Sequence, residues 1–459
     1  MNKYNSSYLF FIALVSAMGG LLFGYDWVVI GGAKPFYEVF FNITNSPSMQ
    51  GWVMGCAILG CLLGVIISGG LSDKYGRKPL LVVASIFFTV AAIGTGMADT
   101  VEWFIVWRVI GGVGIGIASN LSPMYIAEIA PSESRGKYVS INQLMLVVGI
   151  LLAQIANWMI AEPVVKGQPI LNTWNELLGW RYMFWVGGIP SVFFLLLILF
   201  IPESPRWLAS KSKYDKAEAI FSKIGGAEYA QKQIQQLSKN AISDVDDKAN
   251  YKLLFEGKMP KIVFLGIVIA VFQQWCGINV IFNYAQEIFS AAGYGVTDIL
   301  FNIVITGLTN LIFTFAGMYF VDKLGRRALM LFGSIGLAII YSLLGACYYF
   351  EVTGFVVLAL VILAIACYAM TLAPITWVVL SEIFPTRVRA LAMAVSTFAL
   401  WTACFILTYT FPILNSNLGA SGTFWLYGMV CILGYLFLRV YLPETKGKSL
   451  EEIENELTK

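Results

Sequence analysis

The sequence predicts an all-α membrane protein: twelve transmembrane helices in two pseudo-symmetric six-helix halves, joined by a cytoplasmic helical linker. Three observations carry that expectation. Of the 459 residues, 58% are hydrophobic and 12% charged, and a mean hydropathy of +0.75 is not that of an ordinary soluble domain. A bilayer core about 30 Å thick takes roughly 20 apolar residues of helix, and twelve such runs can be counted along the chain. Motifs from the first half also return, in the same order, in the second.

The runs fall near 8–31, 50–71, 79–97, 102–124, 138–161, 181–201, 260–289, 298–320, 327–349, 353–380, 390–414 and 422–442. The first continues through Trp27–Ile30, past the apolar length of a signal peptide, and is expected to be retained. Lys74, Arg77, Lys78, Arg135, Lys137, Lys323, Arg326, Arg327, Arg387 and Arg389 all fall in every second loop. The alternate loops carry only Lys34, Lys166 and, at a helix end, Arg181. By the positive-inside rule both termini are then cytoplasmic. The expected organisation is a first half over 1–201, a linker over 202–259 rich in lysine and glutamate, a second half over 260–442 and a tail over 443–459.

Composition also excludes functions. The net charge of +3 is too small to imply a nucleic-acid partner. The seven cysteines lie in apolar spans at irregular spacing and read as small core residues, with no disulfide framework or zinc site. The chain has no histidine, which removes the commonest general base and metal ligand. Gly447-Lys448-Ser449 lacks the upstream glycine of a phosphate-binding loop, where Leu442 stands. Gly111-Gly112-Val-Gly114-Ile-Gly116 lies inside a span, where Gly112 and Gly116 read as close helix packing rather than as a dinucleotide fingerprint. No cofactor or metal is implied.

The repeats are specific. Gly70-Leu-Ser-Asp73-Lys-Tyr-Gly76-Arg77-Lys78 is echoed by Tyr319-Phe-Val-Asp322-Lys-Leu-Gly325-Arg326-Arg327. Glu128 through Arg135 is echoed by Glu382 through Arg389 with the same spacing, and Pro202-Glu203-Ser-Pro-Arg206 more loosely by Pro443-Glu444-Thr445-Lys446. Parallel repeats about an axis along the membrane normal place a binding site at the midplane between them. Asp73, Arg77, Glu128, Arg135, Asp322, Arg326, Glu382 and Arg389 lie at cytoplasmic helix ends. A solvated charged rim is the simplest reading of one such loop; matched sets in both halves read as a clamp of ion pairs that must break for a cavity to open inward.

Polar residues inside the spans mark the candidate site. In Phe272-Gln273-Gln274-Trp275-Cys276-Gly277-Ile278-Asn279 three amides interrupt an apolar run. A buried amide costs a few kcal/mol unless it is hydrogen-bonded, so the amides serve either as interhelical glue or as the lining of a watery cavity. A glycine mid-span permits a break that turns both glutamines and Asn279 toward one cavity, which suits an uncharged, hydroxyl-rich solute. Asp26 and Arg108 lie inside apolar runs where few other ionisable groups are as deep; each costs about 2.5–3.5 kcal/mol at a helix centre, and they are each other's nearest candidate partner. A fixed structural pair is one reading. The preferred one is proton coupling, because burial raises a carboxylate pKa and a neighbouring arginine lowers it, so a change in their distance exchanges a proton. Trp377 and Trp401 follow apolar stretches near the expected midplane, where an indole suits the C–H face of a sugar.

With these residues in view, the chain resembles the sugar porter family of the major facilitator superfamily over its whole length. The motifs are Gly70–Lys78, Pro202-Glu-Ser-Pro-Arg-Trp207, Gln273-Gln-Trp-Cys-Gly-Ile-Asn279, Asp322–Arg327 and Pro443-Glu-Thr-Lys-Gly447. It looks most like the bacterial proton–xylose symporters. The resemblance implies sugar contact by Gln143, Gln273, Gln274, Asn279, Asn310, Trp377 and Trp401, and protonation at Asp26 with Arg108 as partner. The family commonly shows adjacent tyrosines where this chain has Asn283-Tyr284, an amide where it has Leu400 and a threonine where it has Trp27.

The expected function is proton-coupled import of a neutral monosaccharide of the xylose, arabinose, glucose or galactose class across the inner membrane, by a carrier working as a monomer. Its partners are the sugar, protons and the lipid bilayer. A passive uniporter of the same fold is the rival reading. A sugar sensor is disfavoured by the short tail, and a membrane enzyme by the lack of a nucleophile–base pair or metal cluster.

Overall fold

The computed structural model describes residues 4–131, 134–164, 170–243, 254–385 and 388–446. Lys166, Arg387, linker residues 244–253, Gly447-Lys448-Ser449 and the rest of the tail lie outside the described residues, as does the side chain of Asp322. The protein is built of helices: α1 (Ser6–Phe40), α2 (Pro47–Tyr75), α3 (Arg77–Gly96), α4 (Val101–Ile129), α5 (Arg135–Ile160), α6 (Trp180–Ile198, entered by a π-turn at Asn175–Gly179), α7 (Pro205–Ser210) and α8 (Tyr214–Ser243). There follow α9 (Met259–Trp275), α10 (Ile278–Asn283), α11 (Ala285–Ala291), α12 (Val296–Leu324), α13 (Arg326–Tyr349), α14 (Phe355–Met370), α15 (Leu372–Ile383) and α16 (Arg389–Tyr441).

Eleven segments among the described residues are long and apolar enough to cross a membrane. The count of twelve differs only at the end. Runs 390–414 and 422–442 fall within one helical segment, α16, whose backbone leaves helical geometry at Gly419 (φ 69°, ψ 175°). The run at 260–289 is broken into three. Gly277 sits in the left-handed region (φ 87°) between α9 and α10, and a Cβ there would stand 2.9 Å from the Tyr427 ring. The run at 353–380 breaks at Thr371 (φ −120°, ψ −88°) between α14 and α15. Both interruptions free backbone groups and re-aim side chains inside a span, which a membrane helix tolerates only where the fold buries or solvates the break.

The chain divides into two compact units. One holds residues 1–29, 56–153 and 181–248; the other holds 30–55, 154–180 and 249–459. Within the first, Gly112 and Gly116 of α4 meet α2 backbone so closely that a Cβ would fall 2.0 Å from the Ala57 carbonyl oxygen and 2.2 Å from that of Cys61. The glycines there are helix-packing residues, as expected.

Within the second unit, the end of α1 corrects the sequence reading. Lys34 is not a loop residue: α1 runs on to Phe40, and Lys34 is 2% exposed. Its ammonium is 2.7 Å from Glu38, one turn along α1, and also pairs with Glu287 of α11. The Tyr284 ring lies 5.5 Å from the same nitrogen, and its hydroxyl donates to the Thr408 carbonyl at 2.7 Å. Three ionisable groups thus share one desolvated site, so Asp26 and Arg108 are not the sole deep charges.

Two outcomes follow for stability. Lys34→Met leaves the buried Glu38 and the partly buried Glu287 without their shared cation and is expected to cost about 3–5 kcal/mol, read as a lowered melting temperature in detergent; adding Glu38→Gln and Glu287→Gln restores most of the loss. Gly277→Ala forces a side chain into the left-handed region against Tyr427 and is expected to cost about 1–3 kcal/mol on the same measurement.

Candidate functional site

The break at Gly277 lets adjacent glutamines and an asparagine meet. Gln273 and Gln274 close α9, and Asn279 opens α10 two residues past the glycine. On one unbroken helix, neighbouring residues point about 100° apart. With the break, Asn279 Nδ2 donates to Gln274 Oε1, Gln274 Nε2 donates to Gln273 Oε1 at 2.7 Å, and Gln273 Nε2 donates to the Tyr368 hydroxyl at 2.8 Å. Tyr368 comes from the last turn of α14, beside the second break. The three amides are largely satisfied by one another, so the site carries little desolvation cost when unliganded. Each still keeps a further N–H or lone pair. An arrangement rich in both donors and acceptors, without charge, matches hydroxyl groups.

The other expected contacts are placed as follows. Asn310 of α12 and Trp401 of α16 are buried in the same unit as the amide chain, whereas Trp377 of α15 is exposed. Gln143 lies on α5 in the first unit and is half-buried. Tyr368 and its role in ordering Gln273 were not anticipated. No motif marked it, since a tyrosine in a run of apolar residues carries no signal until the break at Thr371 is known.

Asp26 and Arg108 do meet, inside the first unit. Arg108 Nη1 donates to Asp26 Oδ1 at 2.7 Å and Nη2 to the Asp26 backbone oxygen at 3.4 Å. The guanidinium is 3% exposed and lies 5.7 Å from the Phe184 ring centre. The pairing is incomplete: Asp26 Oδ2 and Arg108 Nε are buried with no hydrogen-bond partner. A cavity of about 20 Å³ opens beside the carboxylate, lined by Leu22, Tyr25, Phe88, Phe184 and Ser191 among others. That volume is about one water molecule.

At the ends of the helices, the repeated motifs fold into the same object twice. In the first unit Arg77 Nη2 donates to Glu128 Oε1 at 2.8 Å; in the second, Arg326 Nη2 donates to Glu382 Oε1 at 3.0 Å. Glu203 accepts the backbone N–H groups of Arg77 (3.0 Å) and Lys78 (3.2 Å) at the start of α3, and Glu444 accepts those of Arg326 (3.0 Å) and Arg327 (3.2 Å) at the start of α13. The Ser204 hydroxyl donates to Glu128, and that of Thr445 to Glu382. Gly76 (φ 100°) and Gly325 (φ 89°) precede the two helices, and a Cβ on either would strike the capping glutamate at 2.3 or 2.7 Å. A carboxylate bound to the free N–H groups of a helix start is favoured by hydrogen bonding and by the helix dipole together.

Asp73 is peripheral to this cluster, 80% exposed and 3.5 Å from Arg77. Arg389 donates to the Phe384 carbonyl at 3.1 Å, while Arg135 Nε has no hydrogen-bond partner. Burial and the neighbouring Arg135 push the Arg206 guanidinium below its ordinary pKa, against the pull of Glu128. Glu203, Ser204, Glu444 and Thr445 were missed as site residues. Their signal was the loose Pro-Glu-Ser and Pro-Glu-Thr repeat, which marks them as a matched pair.

Comparison with known proteins agrees with this geometry. The model of the family described as sugar (and other) transporter matches residues 12–457. The D-xylose-proton symporter of Escherichia coli K12 is 38% identical, covering 98% of this chain and 96% of its own. The glucose facilitated diffusion protein of Zymomonas mobilis is 34% identical, covering 96% of each. The inward open conformation of the xylose transporter from E. coli superposes with a TM-score of 0.85 at 35% identity, over 98% of this chain and 99% of that one. A full-length family match, a helical fold shared end to end and an uncharged site suited to hydroxyls lead to one conclusion: the chain belongs to the sugar porter family of the major facilitator superfamily, and is a multi-pass membrane transporter of sugars rather than an enzyme.

Proposed function

We propose that this protein is a proton-coupled symporter that imports a neutral monosaccharide by alternating access. The observation that carries the reading is the Asp26–Arg108 pair, buried, short on one oxygen and unpaired on the other, with space for about one water at its side. The bare oxygen can receive a proton, and a change in the distance to Arg108 alters how strongly the charged carboxylate is held. Inward proton movement supplies roughly 2.3 kcal/mol per 100 mV, enough to concentrate an uncharged sugar. The similar D-xylose-proton symporter of E. coli supports the same reading, with xylose, arabinose, glucose and galactose as the candidate substrates.

The carrier works as a monomer in the inner membrane, with both termini cytoplasmic. Its halves span 1–201 and 260–442, with the linker at 202–259 and the tail at 443–459. The sugar is held by Gln143, Gln273, Gln274, Asn279, Asn310, Trp377 and Trp401. The Arg77–Glu128 and Arg326–Glu382 clusters, with Asp73, Arg135, Asp322 and Arg389, form the cytoplasmic gate.

A passive uniporter is the second reading, favoured by the similarity to a facilitated diffusion protein. External pH in lightly buffered, de-energised cells separates the two after pulses of xylose, arabinose, glucose, galactose and a polyol. Symport alkalinises the medium with one sugar. Asp26→Asn is expected to abolish the pH change and uphill accumulation while leaving sugar exchange intact. Entry of labelled sugar with no pH change makes the protein a uniporter and Asp26–Arg108 a structural pair; loss of exchange in Asp26→Asn removes the coupling role.

A further inference from the structure

Lys34 carries one positive charge and meets two carboxylates. Its ammonium lies 2.7 Å from Glu38 and also pairs with Glu287, and the three side chains are 2%, 7% and 24% exposed. Because both carboxyl groups touch one nitrogen, they stand as close together as two ligands of a single ammonium. Glu287 Oε2 is buried with no hydrogen-bond partner, so the exposed part of Glu287 is not that oxygen. Among the described residues, no other cation pairs with either carboxylate. The remaining titratable groups that face the cluster are Tyr284, whose ring lies 5.5 Å from the ammonium, and beyond it Tyr427 of α16. A phenol is uncharged near neutral pH, so neither tyrosine offsets the second carboxylate.

Fully ionised, the three groups leave one surplus negative charge in a site from which water is largely excluded. An uncompensated buried charge is expensive, and two carboxylates at one place resist ionising together. Loss of the lysine's proton would enlarge the surplus, whereas gain of a proton by one carboxyl removes it. Lys34 then keeps one carboxylate as its ion pair, and the other glutamate is a neutral acid. The cluster is distinct from Asp26, which pairs with Arg108 in the other unit. It is also far from the Arg326–Glu382 pair: Glu287 precedes α12 and Arg326 follows it, and a 29-residue helix is about 44 Å long.

We propose that Glu38 and Glu287 share one proton beside Lys34 at neutral pH, which makes this cluster a second proton-binding site, separate from Asp26. The proton belongs to the pair rather than to either residue. The inference does not depend on the symport reading, since a uniporter would hold the same proton. While the proton is held, charge is balanced between α1 and α11. Its release at high pH leaves repulsion there, so the contact is firm at low pH and loosens as pH rises. The carrier's response to pH therefore has a part that Asp26→Asn does not remove.

Infrared difference spectra of the purified full-length protein in detergent, wild type minus variant, read the site through the carbonyl stretch of a protonated carboxyl. At neutral pH, Glu38→Gln and Glu287→Gln are each expected to lose one such band, because the carboxyl left behind gives up its proton and pairs with Lys34 alone. The band is expected to persist in Asp26→Asn and to vanish from the wild type as pH is raised. Both variants replace a carboxyl by an amide of the same shape, and either serves if the other does not fold. Three results overturn the inference. A band unchanged in both glutamine variants means that both carboxyls are ionised; a band lost in Asp26→Asn belongs to Asp26; and a band that survives removal of one glutamate is the acid of the other alone.

Discussion

Every polar group inside a membrane span has to find its partner within the protein, and this constraint orders the structure. Hydrocarbon supplies no hydrogen bonds, so an ionised or amide group left alone there is expensive. Three solutions appear. Asp26 and Arg108 pair across α1 and α4; Lys34 sits between Glu38 and Glu287; and Asn279, Gln274, Gln273 and Tyr368 satisfy one another in series. They differ in how fully they close. The amide series leaves each member at least one further N–H or lone pair, and Asp26 keeps a bare oxygen. Sites that are nearly but not fully satisfied are those a ligand or proton can complete at small cost.

The two glutamate-capped helix starts solve a different problem. A loop between two spans must turn sharply, and at Gly76 and Gly325 it does so through a backbone conformation open to glycine. The space a Cβ would take is filled by Glu203 or Glu444, which ties the chain beyond the sixth or the twelfth span back to the start of α3 or α13. Through Ser204 and Thr445 the same cap reaches Glu128 and Glu382, and through these the arginines of the turn. Each unit therefore binds the ends of several helices into one hydrogen-bonded cluster. A change at one arginine is therefore felt at several chain segments.

Much of this was legible in the sequence, for reasons that can be named. Hydropathy located the spans because burial in lipid is a property of composition. Asp26 and Arg108 stood out because charge in an apolar run is rare, and Gly277 because a glycine amid amides permits a break. Three things were hidden. Lys34 looked like a loop residue, since a lysine near the end of an apolar run reads as solvent-exposed, and only the contact with Glu287, distant in sequence, shows that α1 carries it inside. Gln154, 1% exposed with neither polar atom of its amide hydrogen-bonded, passed unnoticed in Leu-Leu-Ala-Gln-Ile because one amide gives no periodic signal. Trp377 was read as a midplane stacking surface from position alone, and its exposure distinguishes it from the buried Trp401.

The chemistry of the cargo explains why amides, and not charges, form the centre. A neutral sugar offers hydroxyls that both donate and accept, and a carboxylate or ammonium would be only an acceptor or only a donor. In the proposed sugar site a charge would also have to be desolvated in each half-cycle, whereas the amide series bonds with itself when unliganded. Asp26–Arg108 belongs to one unit and the amide chain to the other, and no ionisable side chain other than the Tyr368 hydroxyl takes part in the amide hydrogen bonds described above. In the proposed symport, coupling between proton and sugar needs no direct contact. It requires only that each ligand favour the same conformation, so that binding of one raises the population that binds the other.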